Sequence, residues 1–180
     1  SISEHQFFEL KHDKKYSVNS RAYAYLQQAA SADLSDIQSD NLQSYQDAQT
    51  LITNWDLSTD IENRGAALSA CVLGGEWLSE QRGIDAPKAL DELVRCTDLL
   101  MSTSGRIDPL WGDVNRHVRG DLNVPVAGGP DTLRAIYGMG MEKDGYLTNV
   151  AGDGLYYQVS WDAQGAVSYT HLRAHETEEN

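Results

Sequence analysis

Apolar residues in the first half of the chain recur at helical spacing, and each recurrence predicts an amphipathic helix. Ser3 is followed three residues later by Gln6, a capping-box pattern that predicts a short first helix. A second and a third helix are each predicted by one apolar stripe. The stripes are Val18, Ala22, Tyr25, Leu26 and Ala29, then Leu42, Tyr45, Ala48, Ile52 and Trp55. The polar segment 31–40 between them predicts a loop.

A fourth helix is predicted over residues 61–81, with Asp60 as its N-cap and Gly83 at its end. Three glycines accompany this helix, namely Gly65, Gly74 and Gly75. Because a glycine costs about 1 kcal/mol relative to alanine inside a helix, they predict close packing against another element. A fifth helix is predicted after Asp85, with Pro87 in its first turn. Its predicted buried face comprises Leu90, Leu93, Val94, Thr97, Leu100 and Met101.

After Gly105 the pattern changes to alternating apolar and polar residues, which predicts strands at 114–118, 122–126 and 155–161. Glycine-rich pairs and triplets predict the turns between them. These are Gly120-Asp121, Gly128-Gly129-Pro130, Asp144-Gly145 and Gly152-Asp153-Gly154. We interpret the last predicted strand, residues 155–161, as the first arm of a β-hairpin whose second arm is absent. Helices followed by antiparallel strands predict an α+β fold.

The overall charge excludes some classes of partner. The 180 residues carry a formal charge of −13, which argues against a nucleic-acid partner, because phosphate binding needs clustered Lys and Arg. No run of residues is long and apolar enough to predict a membrane span. Cys71 and Cys96 are the two cysteines. We interpret them as small buried thiols, and a disulfide between them as the less favoured alternative.

The C-terminal residues require separate treatment. Residues 167–177 resemble, over eleven positions in register, the translation of a common transposase sequencing adapter. We therefore interpret residues 1–166 as the biological sequence and 167–180 as an adapter translation without a structural role. This interpretation removes His171 and His175, whose spacing of four could imitate a helical metal pair. Without that segment the formal charge is −11, so the argument from charge is unchanged.

No set of residues forms a self-sufficient catalytic pattern. Serine, histidine and aspartate are all present, but there is no Gly-x-Ser-x-Gly sequence. His5 and His12 lie on or beside the first helix and are predicted to face solvent. His117, between Arg116 and Arg119, could bind an acidic group with them. The favoured alternative is that both arginines pair with nearby carboxylates.

Two further motifs are weak. The acidic residues Asp113, Asp121, Asp131 and Asp153 do not have the spacing of a calcium loop, so we predict that they form turns. Gly128-Gly129-Pro130 lacks the lysine and the strand–helix context of a phosphate-binding loop.

Several blocks resemble, in order, the late part of the penicillin acylase (penicillin amidase) family. They span most of residues 3–166, and the likeness is closest to the acyl-homoserine lactone acylases. The blocks are 7–13, Trp55-Asp56, Asp60, Asn63-Arg64-Gly65-Ala66, Pro109-Leu110-Trp111-Gly112-Asp113-Val114-Asn115-Arg116, Arg119-Gly120, Gly128-Gly129, Leu133-Arg134-Ala135 and 152–159. One departure is Gly154, where members of the family usually have serine.

The resemblance implies a C-terminal piece of the β-subunit of an N-terminal-nucleophile hydrolase with an αββα fold. Such enzymes are precursors that cleave themselves, and the new N-terminal serine then attacks a linear amide. That serine and the oxyanion asparagine would lie upstream, so Ser1 is not the nucleophile and no catalytic, cofactor or metal residue is assigned here. The resemblance implies a periplasmic or secreted protein that binds the rest of its own precursor, and it allows calcium only in the full-length protein. Trp111 would fill the core, Arg64 and Arg116 would form buried or partly buried ion pairs, and the piece alone would be inactive and poorly soluble.

Two alternatives remain open. One is a free-standing, non-catalytic domain that binds a ligand or a partner, with the helices as scaffold and the strands as binding surface. The other is a small metal hydrolase that uses His117 and neighbouring aspartates.

Overall fold

The computed structural model describes residues 2–152 and 155–173. It is a mixed α+β structure in which helices come first and a small sheet follows. The helices are α1 Glu4–Lys11, α2 Arg21–Ala30, α3 Leu42–Thr53, α4 Ala66–Arg82, α5 Ala89–Ser104, α6 Trp111–Val114 and α7 Met141–Asp144. The strands are β1 Asn115–Arg119, β2 Leu122–Pro125, β3 Ile136–Met139, β4 Leu147–Gly152, β5 Leu155–Trp161 and β6 Val167–Arg173.

The helical half follows the predicted stripes closely. The capping box of Ser3 and Gln6 opens α1 as predicted. The predicted stripes of α2 and α3 are buried except at their ends, where Val18 lies before α2 and is exposed. Gly83, with a φ of 64°, ends α4 in the left-handed conformation that glycine adopts without steric cost.

The starts of α4 and α5 differ from the prediction. The α4 helix begins at Ala66, and Asp60 lies in the turn before it. Asn63 Oδ1 instead accepts hydrogen bonds from the backbone N–H groups of Gly65 and Ala66, both at 2.9 Å. The α5 helix begins at Ala89, so Asp85 and Pro87 precede it. On α5, Leu93, Thr97 and Leu100 are buried as predicted, and Met101 is exposed.

The four-stranded sheet has the order β2-β1-β4-β3. Strands β1 and β2 form the predicted antiparallel hairpin around Gly120, whereas β1 and β4 pair in parallel. Strands β3 and β4 were not predicted. Residues 147–149, Leu-Thr-Asn, and Gly138 interrupt the apolar alternation that marks a strand.

The last two strands form a separate two-stranded sheet. The expectation that the second arm of this hairpin is absent is wrong, because β6 pairs with β5 from Leu155–Arg173 to Trp161–Val167. This arm lies within the adapter-like segment. Asp153 and Gly154, on which one predicted turn and the family departure depend, lie outside the described residues, as does Ser1.

The core lies where α2, α3, α4 and α5 pack together, and the sheet docks on one side of it. Trp111, Val114 and Met141 join the strand half to this core. Within residues 2–152 and 155–173, no helix combines the length and apolar character needed to cross a membrane.

A disulfide between Cys71 and Cys96 links α4 to α5, so the expectation of two free thiols is wrong. The two Cα atoms lie 5.9 Å apart, within the range that a disulfide spans. Residue type predicts that each cysteine is buried, but the sequence does not predict which residues of two separate helices face one another.

Candidate functional site

Several of the motif residues that carry the family resemblance meet in one place, which we call the motif junction and define as residues 55–66, 109–116 and 126–129. Trp111 and Gly112 donate backbone hydrogen bonds to the carbonyls of Asn63 and Ile61, at 2.8 and 2.7 Å. The Trp111 indole N–H donates to the Gly128 carbonyl at 2.8 Å. Three segments that are distant in the sequence are therefore joined directly.

Asn63 organises the helical side of the junction. Its side-chain oxygen accepts from the indole N–H of Trp55 at 3.1 Å and also caps α4. Its amide group donates to Asp56 at 2.7 Å. The ring of Trp55 in turn packs on that of Tyr16, 5.6 Å between centroids. Burial raises the pKa of the Tyr16 hydroxyl, which donates a hydrogen bond to the Pro130 carbonyl.

Asn115 and Gly128 organise the strand side. The buried Asn115 amide donates to the carbonyls of Val126 and Gly128, at 2.8 and 3.3 Å. Gly128 has a φ of 100° and donates its N–H to the Thr59 carbonyl. A Cβ at position 128 would lie 2.4 Å from the Arg134 carbonyl oxygen, so only glycine fits there.

Gly65 and Gly74 provide a matched test of the close packing predicted from glycines. A Cβ at position 65 would lie 2.5 Å from Cδ1 of the buried Trp55, so we expect Gly65→Ala to lower the free energy of unfolding by about 1–3 kcal/mol. A Cβ at position 74 meets nothing within 4 Å. We expect Gly74→Ala to raise the free energy of unfolding by about 1 kcal/mol, because alanine has a higher helix propensity than glycine.

Pulse proteolysis across a urea series measures both changes on the chain fused to a soluble carrier protein. Effects of the same sign at the two positions would contradict the packing that we describe.

The two arginines expected in ion pairs differ. Arg64 Nη1 donates to the Asp108 carbonyl at 3.0 Å and lies 3.9 Å from the Asp108 carboxylate, as the expectation requires. Arg106, hydrogen bonded to that carboxylate, holds the pKa of Asp108 below its usual value. Arg116 instead donates to Asn123 and to the Gly112 carbonyl, so its expected ion pair is wrong.

The group formed by Arg116, His117 and Arg119 does not converge on one ligand position. All three lie on β1, where strand alternation places Arg116 on the opposite face from His117 and Arg119. Arg116 is held by Asn123, and within the described residues the side chain of Arg119 contacts no carboxylate. The favoured alternative, in which both arginines pair with carboxylates, is therefore also wrong.

The other candidate catalytic and metal-binding residues do not come together in the structure. His5 and His12 are exposed as predicted. In the described part of the chain, no serine hydroxyl is hydrogen bonded to a histidine ring, and no three His, Cys, Asp or Glu side chains form a group that could hold a metal ion. Asp131, with a φ of 62°, lies in a turn after Pro130.

Sequence reasoning missed a cavity of about 280 Å³ between α4, α5 and the β3–α7 segment. Its wall includes Trp77 and Tyr137, whose rings stack with centroids 5.0 Å apart. The pair Gly74-Gly75 on α4 is the sequence feature that could have indicated this cavity. Gly74 has no side chain to fill the cavity, and Gly75 leaves room for the side chain of Glu92.

No protein-family model matches the chain, and no curated protein gives a significant match. The family resemblance therefore depends on the motif residues and on what they do in the structure.

Proposed function

We propose that this chain is the late part of the β-subunit of a linear-amide hydrolase of the penicillin acylase type. One observation carries the proposal: the family-like blocks within residues 55–66, 109–116 and 128–129 meet in a single hydrogen-bonded junction. Trp55, Asn63, Trp111, Asn115 and Gly128 all belong to it. Because these residues bind one another, their joint presence in the sequence supports the family resemblance more strongly than unrelated matches along the chain would.

In this proposal the residues of the junction position other elements and do not touch the substrate. The nucleophile is the N-terminal serine of the mature β-subunit, its α-amine acts as the base, and an asparagine side chain stabilises the oxyanion. These groups lie outside residues 1–180. The junction would fix the helices against the sheet and so support the acyl pocket from behind.

The disulfide supports a periplasmic or secreted location. Disulfides such as Cys71–Cys96 form and persist in oxidising compartments. That location suits an enzyme acting on an acyl-homoserine lactone or a β-lactam side chain, in quorum quenching or antibiotic hydrolysis. In this proposal calcium remains possible in the full-length protein, and we assign no calcium ligand to this chain.

Both edges of the four-stranded sheet support docking against the remainder of a precursor. The edge strands are β2 and β3. Leu122 and Val124 on β2, and Met139 on β3, expose large apolar side chains. Exposed apolar residues beside unpaired strand edges are typical of surfaces that another element covers.

The test is to recover the DNA that flanks this sequence and to assay the complete product. We expect an upstream reading frame with a leader, a Gly-Ser processing site and the oxyanion asparagine, and hydrolysis of an acyl-homoserine lactone or of a penicillin. A start codon directly before Ser1, or a complete product without amide hydrolysis, would refute the proposal.

A further inference from the structure

The cavity between α4, α5 and the β3–α7 segment is an unassigned site with a mainly apolar wall. Ala70, Gly74 and Trp77 contribute from α4, and Leu99 contributes from α5. The opposite side is formed by the two methionines that flank Gly140, Met139 and Met141, and by the ring of Tyr137. Concave apolar sites of this kind are the usual binding places for small molecules.

The charged groups at the cavity disfavour an anion. Arg95 is the cation of the lining, and its guanidinium is already bonded to Glu92, with Nη2 at 2.7 Å from Oε2. The same Nη2 also lies 3.3 Å from Cys96 Sγ. The second charged residue of the lining is the exposed Glu142. Among the residues that the structure describes, one paired cation and two carboxylates leave no positive charge at the cavity to attract an acidic ligand.

The volume of the cavity and the side chains of its wall further limit the kind of ligand that it can bind. An apolar cavity of about 150 Å³ holds benzene, so about 280 Å³ admits roughly eleven non-hydrogen atoms. The stacked rings of Trp77 and Tyr137 offer an aromatic wall, and methionine sulfurs make favourable contacts with aromatic edges.

We propose that this cavity binds a neutral aromatic molecule of one or two fused rings. The inference does not depend on the amidase proposal, because every residue that it uses belongs to the described chain. It applies equally to a free-standing domain and to a subunit of a larger enzyme.

Methionine methyl signals provide an internal control for the test. The chain has three methionines. Met139 and Met141 line the cavity, whereas Met101 lies outside it on α5. The chain is labelled at its methionine methyl groups, fused to a soluble carrier whose signals are recorded separately, and titrated with indole. We expect the Met139 and Met141 signals to shift and the Met101 signal to stay, with a dissociation constant on the order of 1 mM or tighter.

Two comparisons test the location of the binding site and its preference for a neutral ligand. Gly74→Phe places a ring inside the cavity, where a Cβ meets no atom within 4 Å, and Gln81→Phe adds the same ring at an exposed position of α4. We expect the first variant to weaken indole binding at least about tenfold and the second to leave it unchanged. Benzoate, an aromatic carboxylate that has as many non-hydrogen atoms as indole, should bind at least about fivefold more weakly than indole because of its charge.

Three results would overturn the inference: no shift of Met139 and Met141, an equal loss in both phenylalanine variants, or equal binding of the anionic probe. The methyl shifts are measured on the natural chain, so they test the site even if Gly74→Phe impairs folding. Loss of amide hydrolysis in the complete enzyme would bear on the proposed function and leave this result unaffected.

Discussion

Replacing Trp111 with alanine is expected to lower the free energy of unfolding by about 3–5 kcal/mol, the largest effect of any single substitution considered. The side chain is 1% exposed and lies between the helical core and the sheet. Its removal leaves a large cavity and deletes the hydrogen bond to the Gly128 carbonyl. A domain of this size is stable by only about 5–15 kcal/mol, so much of its stability would be lost.

Two matched variants separate the causes. Trp111→Phe retains most of the apolar contact and loses the indole N–H, so we expect a smaller loss, of about 1–2 kcal/mol. Trp161→Ala removes the same kind of side chain from a position that is 66% exposed, and we expect a change within about 0.5 kcal/mol. Pulse proteolysis in urea measures all three variants on the carrier fusion. Similar losses at positions 111 and 161 would contradict the central role of Trp111.

Removing the disulfide is expected to lower the free energy of unfolding by about 2–4 kcal/mol. Cys71 and Cys96 are 25 residues apart, and the loop-entropy relation gives about 3.5 kcal/mol for a loop of that length. The natural chain is compared with the double variant Cys71→Ala, Cys96→Ala by the same proteolysis assay.

Reduction with dithiothreitol provides the matched control. It should destabilise the natural chain by about the same 2–4 kcal/mol and leave the double variant unchanged, because only the natural chain has a bond to reduce. Alkylation of both cysteines by iodoacetamide in the unfolded, unreduced chain would show that the disulfide is absent and would contradict this account.

The helical half was predictable because its signal is local. Ala22, Tyr25, Leu26 and Ala29 fall on one helical face whatever surrounds them, and all four are buried. The start of α4 was not predictable in this way. Residues 61–65 stay outside the helix because the carbonyls of Ile61 and Asn63 bind Gly112 and Trp111, which are distant in sequence.

The candidate site was less predictable for the same reason. The alternation of side chains on a strand would have shown that Arg116 lies on the opposite face from His117 and Arg119. The expected carboxylate partners of the two arginines depended on packing, which the sequence does not show. The cavity is lined by residues of seven separate helices and strands, and no spacing along the chain predicts that they meet. Hydrophobic periodicity therefore predicts the helices, whereas contacts between distant segments determine the candidate site and the cavity.

We propose that this chain belongs to the larger subunit of a self-cleaving amide hydrolase. The most direct measurement is the intact mass and N-terminal sequence of the complete gene product after expression in an oxidising compartment. The account predicts two chains, with residues 1–166 in the larger one and a serine at its new N-terminus. A single uncleaved chain, or a cleaved one whose larger part begins with another residue, would contradict it.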